Sequence, residues 1–366
     1  MTESVEVVGP RLGATAGPLA GQHDAALLDL DGVVYIGPDV VPGAREALEA
    51  VRAEGLALRF VTNNASRRPE TVAAHLTRLG VPAEPAEVVT SAQVAAALLA
   101  KRLPAGSGVL VIGADGLRAA LTAEGMVPMD SVDDGPVAVV QGFGPDVGWR
   151  QLAEATRAVR SGLFWMATNL DRTVPTPHGA APGNGSLIEV VAQAAGRRPD
   201  DVAGKPRPGA FRTAAALAGS SAPLVVGDRL DTDLEGARAA RMPGLLVLTG
   251  VTGVTDLLTA SAGERPDYVG RTLWSLCEEH PEAALLAPPE NGAAVAGCRA
   301  ARVRAVRDAG RTVVRVEDDG RDALDLLRAA AVAVWALCDR EALMALNAQQ
   351  LIQSILTVEP EARWAR

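Results

Sequence analysis

The 366-residue chain, 48% hydrophobic and 22% charged, is long enough for about two domains and too apolar to be disordered. Its 35 basic and 44 acidic residues give a formal charge of −9, which excludes a nucleic-acid binder that rests on a basic face. Cys277, Cys298 and Cys338 form no CxxC pair, which argues against a disulfide framework and for the reducing cytoplasm.

The first 22 residues are rich in Gly, Pro and Ala and lack the basic start and apolar stretch of a secretory signal. They read as a mobile lead-in. No stretch reaches the roughly 18 uncharged apolar residues of a membrane helix, so no membrane insertion is expected. From Ala25 short apolar runs alternate with helical periods. "AALLDLDG" is a buried strand that ends in Asp29, Asp31 and Gly32. "GAREALEAVRAEG" places Leu48 and Val51 on one helical face and stops at Gly55, a suitable C-cap. "LALRFVTNN" is the next strand, and "PETVAAHLTRLG" the next helix, with Pro69 in its first turn.

The alternation runs on through "EVVTSA", "GVLVIGAD", "VAVVQGF", "WRQLAEATRAVRSG" and "LFWMATNLD". "TVPTPHGAAPGNGS" then reads as a Gly/Pro-rich loop. "LIEVVAQAAG", "FRTAAALAG" and "PLVVGDRLDTD" resume the pattern. So many strands exceed one small sheet. They predict an α/β protein with a doubly wound parallel-sheet core interrupted by a second α/β domain. Pro288 and Pro289 mark a linker to a C-terminal appendage. There "AAVAG" and "RTVVRVED" read as strands, and a long helical stretch runs from Asp322 into the 350s.

Ligands of open parallel sheets bind beyond the carboxyl ends of strands, where Asp29 and Asp31 fall. Taken alone the pair is as much a turn as a site, and it lacks the further oxygen ligands of a calcium loop. Thr62, Asn63 and Asn64 end another strand, and taken alone they read more as an Asx-turn than as a phosphate site. Lys205 in "AGKP" is followed by proline, so it is no P-loop. Asp228 ends "LVVGD", and Thr232 with Glu235 has the spacing of a capping box. In combination these groups suit phosphoryl transfer. Asp29 and Asp228 can hold a hard cation such as Mg²⁺, Lys205 can neutralise phosphate charge, and Asp29 can act as nucleophile with Asp31 as acid and base.

"DLDGVVY", "VTNN", "GKP" and "GDRLDTD" together resemble the four motifs of the haloacid dehalogenase-like hydrolases. The resemblance runs from about Asp24 to Leu276, in the subfamily of NagD-type, phosphoglycolate and pyridoxal phosphatases. It implies a Rossmann-like core with a large cap inserted between the second and third motifs. The division expected is a lead-in over 1–22, a core over 23–88 and 189–285, a cap over 89–188 and an appendage of unknown role over 290–366. The resemblance implies catalysis by Asp29, Asp31 and Lys205. Phosphate contacts come from Thr62, the Asn63 and Asn64 amides and Lys205. Mg²⁺ is held by Asp29, the main-chain oxygen of Asp31 and Asp228, supported by Asp233.

Closer similarity to a bacterial glycerol-3-phosphate phosphatase branch implies that ester as substrate. The cap loop fits a compact diol, with Thr173, Val174, Thr176 and Asn184, and His178 reads as a loop histidine and not as a ring-stacking contact. Phosphoglycolate or another small metabolite is the alternative substrate. A phosphoacceptor switch is a third reading, but its acidic pair would precede the phosphoacceptor. The partners expected are a small phosphate monoester and no nucleic acid, with a homo-oligomer left open. All four motifs precede Pro288, so a chain ended there is expected to keep its chemistry.

Overall fold

The computed structural model describes residues 9–176, 179–338 and 345–365. Strands Ala25–Leu28, Ala57–Thr62, Val88–Thr90, Pro223–Gly227, Gly244–Val247 and Tyr268–Gly270 form one parallel sheet. Numbered along the chain, they lie in the order 3-2-1-4-5-6. This is the doubly wound arrangement, with its reversal between the first and fourth strands. The central strand is apolar throughout because both of its faces are covered. Ala26 and Leu28 enter one buried cluster with Leu48, Val51, Val72 and Leu76. Ala25 and Leu27 enter the other, with Phe211 and Ala214.

Between the third and fourth of these strands the chain builds a second parallel sheet, ordered Asp201–Val202, Phe164–Ala167, Ala138–Gln141, Gly108–Ile112 and Val127–Met129. The chain leaves this sheet only after Val202, later than the sequence suggests. The segment expected to be a loop is a β-hairpin, with Thr173–Thr176 antiparallel to Gly179–Pro182. The following helix begins at Asn184. His178 lies outside the described residues.

The C-terminal sheet is a meander of Ala283–Leu285, Ala293–Cys298, Ala301–Asp308 and Arg311–Asp318, with Ala345–Asn347 parallel at its edge. Ala301–Asp308 is a strand absent from the sequence expectations, although its residues alternate. Ala301, Val303 and Ala305 face inward, and Arg302 is exposed between them. The single long helix expected beyond Asp322 is instead two helices, Ala323–Cys338 and Gln349–Val358, with the edge strand between them. Nor do residues 9–22 stand apart. Leu12 and Leu19 are buried, and Leu12 and Pro18 form bridges to Ala283 and Glu279. Among the described residues no helix is long and apolar enough to cross a membrane.

Candidate active site

Asp29 is the first residue past the central strand, and its N–H donates to the Val226 carbonyl at 2.9 Å. Asp228 occupies the same place after the neighbouring fourth strand. The reversal of strand order therefore opens a crevice between two carboxylates. The turn after Asp31 passes so close to Asp228 that it needs glycine. Gly32 has φ +89°, and a Cβ there would lie 2.5 Å from Asp228 Oδ2. A Cβ on Gly250, from the other side, would lie 2.0 Å from the same oxygen.

Asp29, Asp228 and Asp233 are buried, and one carboxylate oxygen from each lies within 4.8 Å of the others. Lys205, 3% exposed, reaches into this cluster. Its Nζ donates to Asp29 Oδ1, to Asp233 Oδ1 at 2.7 Å and to the Val61 carbonyl at 3.3 Å. Asp233 Oδ2 accepts from the Arg229 N–H at 3.2 Å, and Asp228 Oδ2 from the Val251 N–H at 2.7 Å. Asp228 Oδ1 is buried with no hydrogen-bond partner.

One ammonium among three buried carboxylates leaves excess negative charge in a site poor in water. Burial, with Asp233 and Asp29 as like charges, pushes Asp228 up to about 8. Burial raises Asp233 to about 6 against the pull of Lys205. It raises Asp29 as well, which Lys205 partly offsets. Burial alone would lower Lys205, but Asp233 and Asp29 outweigh it and hold the lysine charged. The orphaned Asp228 oxygen and the surplus charge fit a hard, oxygen-seeking cation. Asp31 lies outside this knot, exposed at the mouth. Loss of solvent in the cleft raises its carboxyl, Lys205 and Arg67 pull it back, and Asp171 pushes it further up.

Thr62 is buried at the end of its strand, and its Oγ1 accepts from the Asn64 N–H at 3.1 Å. Asn64 Oδ1 accepts from the Ser66 N–H at 2.9 Å, so an Asx-turn is present beside whatever else this segment does. The Asn63 side chain is engaged by Lys205 and Asp171. It accepts from the Lys205 N–H at 2.8 Å and donates to the Lys205 carbonyl at 3.2 Å and to Asp171 Oδ1 at 3.3 Å. Asn63 thereby sets the backbone of the lysine and ties it to the second sheet.

Sequence reasoning missed three participants. Asn169 donates to the Asn63 carbonyl at 2.7 Å. Asp171 faces Asp31 and Lys205 in the same cleft. Residues 249–252 clamp Asp228, with Thr249 Oγ1 also donating to the Gly32 carbonyl at 2.5 Å. Their signal was present in "ATNLD" and "VLTGV", where polar groups follow strands. Two expectations are corrected. Asn184 does not face a ligand: it is fully buried and donates to the Asn169 and Gln141 carbonyls at 2.8 and 3.2 Å. Thr232 and Glu235 form no capping box, because the chain enters the Glu235–Ala240 helix through a π-turn with no side-chain cap.

Residues 26–127 match the haloacid dehalogenase-like hydrolase family, and residues 202–276 match the HAD-hydrolase-like family. The D-glycerol 3-phosphate phosphatase of Mycobacterium tuberculosis (strain ATCC 25618 / H37Rv) is 46% identical over 319 residues, 87% of each chain. The acid sugar phosphatase of Staphylococcus aureus (strain USA300) is 36% identical over 238 residues, 64% of this chain and 90% of its own. Among solved structures, a glycerol phosphate phosphatase from Mycobacterium tuberculosis in complex with magnesium is similar at a TM-score of 0.78 and 41% identity. That likeness covers 95% of this chain and 99% of the other, and so takes in the C-terminal sheet.

Proposed function

The chain belongs to the haloacid dehalogenase-like hydrolases, and on that premise we propose that it is a magnesium-dependent phosphatase acting on small phosphate monoesters, glycerol 3-phosphate foremost. The observation that carries the chemistry is the buried Asp29–Asp228–Asp233 cluster bridged by Lys205 at the strand reversal. The division that goes with it is a core over 23–88 and 189–285, a cap over 89–188 and an appendage over 290–366. The pairing of Asp201–Val202 moves the return to the core past Val202.

Asp29, the main-chain oxygen of Asp31 and Asp228 would hold Mg²⁺, with Asp233 fixing Lys205 beside them. The bound ion supplies positive charge against the phosphoryl oxygens. Asp29 engages Lys205 through Oδ1, which leaves Oδ2 to attack phosphorus. An Asp–O–P bond forms as the ester O–P bond breaks, and Asp31 gives its proton to the departing alkoxide. Asp31 then takes a proton from the water that cleaves the aspartyl-phosphate. Its raised pKa and its place outside the Lys205 knot suit both steps. Thr62, the Asn63 and Asn64 backbone amides and Lys205 hold the phosphoryl oxygens.

The substrate reading is supported by the 46% identical relative, which is a D-glycerol 3-phosphate phosphatase. It is also supported by the composition of strands Thr173–Thr176 and Gly179–Pro182, whose Thr, Val, Pro, Gly and Ala residues include no aromatic ring. Such an activity would release glycerol and phosphate in glycerophospholipid turnover. The absence of a CxxC pair among Cys277, Cys298 and Cys338 agrees with a cytoplasmic site of action. The sugar phosphatase relative favours a second reading, another small metabolite phosphate.

Purified full-length protein with Mg²⁺ tests both readings on a panel of glycerol 3-phosphate, phosphoglycolate, sugar phosphates and pyridoxal phosphate. The highest kcat/KM should fall on glycerol 3-phosphate, and Asp29→Asn should abolish turnover of every ester. A higher kcat/KM for pyridoxal phosphate would overturn the substrate assignment. Substantial activity in Asp29→Asn would overturn the covalent mechanism.

A further inference from the structure

The loop that orients Asp228 is continuous with a helix that the C-terminal module holds in place. Val251 N–H donates to Asp228 Oδ2 at 2.7 Å, and Thr252 N–H donates to the Asp228 carbonyl at 3.2 Å. The next residue, Gly253, is the N-cap of the six-residue Val254–Thr259 helix. A helix this short has almost no stability of its own and depends on what it packs against. Its buried residues Val254, Leu257 and Leu258 share one apolar cluster with the Ala323–Cys338 helix of the C-terminal module.

Two directed contacts fix that packing. Trp335, 1% exposed, donates its indole N–H to the Leu257 carbonyl at 2.9 Å, and the Arg265 guanidinium lies 5.1 Å from the centre of its ring. Two helical turns earlier, Arg328 donates to the Val269 carbonyl at 3.1 and 2.6 Å, and Asp325 balances its charge in the interior. The Leu257 carbonyl, in the last turn of its helix, also accepts from the Ala260 N–H at 3.3 Å, so the indole N–H is its second and shorter bond and ties the helix to the C-terminal module.

We propose that Trp335 is a positioning residue for the metal site. By holding the Leu257 carbonyl it keeps residues 249–252 in register with Asp228, so the C-terminal module sets the affinity of the site for Mg²⁺. The proposal rests on the reading of Asp29 and Asp228 as the cation site.

Titration calorimetry of chelator-treated full-length protein with MgCl₂ tests it through four proteins. Wild type should bind Mg²⁺ and Asp228→Asn should not; binding retained by Asp228→Asn would overturn the site reading itself. Trp335→Phe keeps the ring and loses only the N–H. Its Kd for Mg²⁺ should rise about three- to tenfold, the range by which residues remote from a ligand modulate its binding. Its kcat at saturating Mg²⁺ should stay close to wild type. Val303→Ala removes buried volume from the Ala301–Asp308 strand of the same module, away from the indole bond, and it should lower Tm while leaving the Kd unchanged.

An unchanged Kd in Trp335→Phe, or an equal rise in Val303→Ala, would overturn the proposal. Coupling is reciprocal, so Mg²⁺ must also slow exchange of the Trp335 indole proton in wild type, followed by ¹⁵N NMR. Exchange that is indifferent to Mg²⁺ would overturn the proposal even if Trp335→Phe failed to fold.

Discussion

Residues that are inexpensive at a surface become costly in the Asp29–Asp228–Asp233 cluster. Burial pushes Asp228 up to about 8 and Asp233 up to about 6, both above the 3.8 of an unperturbed aspartate. The folded state therefore keeps protons that the unfolded chain releases as pH rises from about 4. Stability contributed by these carboxyls falls as pH climbs through that window towards about 8. A cation bound to the ionised cluster offsets the loss. Added Mg²⁺ should raise Tm only slightly at pH 5.5 and by several degrees at pH 8, as scanning calorimetry would measure. Equal shifts at the two pH values would mean that Mg²⁺ does not engage this cluster. Of the residues involved, the aspartates and the lysine were readable from four local motifs. The Val251 clamp was not, because nothing local distinguishes an N–H that donates to a carboxylate from one that donates to a neighbouring strand.

Secondary elements carry the site through their ends. Asn184 shows how. It lies in the first turn of the Asn184–Ala195 helix and bonds the carbonyls that close two strands, Gln141 and Asn169. Asn169 in turn bonds the Asn63 carbonyl, so one buried amide chain joins the second sheet to the strand end at Thr62. Asn184→Ala would take its donor from the buried Asn169 carbonyl, at about 1–3 kcal/mol, while the Gln141 carbonyl keeps the Thr168 N–H at 2.8 Å. Tm should fall by several degrees, and KM should rise more than kcat falls, since the reacting groups stay in place. An unaltered Tm would show that water replaces the amide. Periodicity revealed the helix that begins here, but its glycine-rich approach read as a loop. A hairpin of Thr, Pro, Gly and Ala has too little apolar alternation to declare itself.

At the level of the whole molecule the C-terminal module is part of the core. Leu230, Leu234, Leu246, Leu248, Val254, Leu257, Leu258 and Val269 from the catalytic sheet share a buried cluster with the Ala323–Cys338 helix. Arg271 adds ion pairs to Asp322 and Glu359 at the seam. Each such side chain uncovered forfeits about 1.5–3 kcal/mol, against a total stability of about 5–15 kcal/mol. A chain ended near Pro288, expected from the sequence to stay folded, would uncover this cluster. Such a truncate should aggregate, or elute as an expanded species with weakened near-ultraviolet dichroism. A monomeric truncate with native melting would contradict this account. The sequence by itself determined the doubly wound core, the order of the motifs and the identity of Asp29, Asp31, Lys205 and Asp228. Each of these is written in a short stretch where a strand period stops at a polar turn. Only the tertiary structure decided that Lys205 pairs with Asp233, that residues 249–252 grip Asp228 and that a distant helix completes the apolar face beneath them. Periodicity states that a face is buried but not against what, and partners far apart in the chain meet only once the sheets have been assembled.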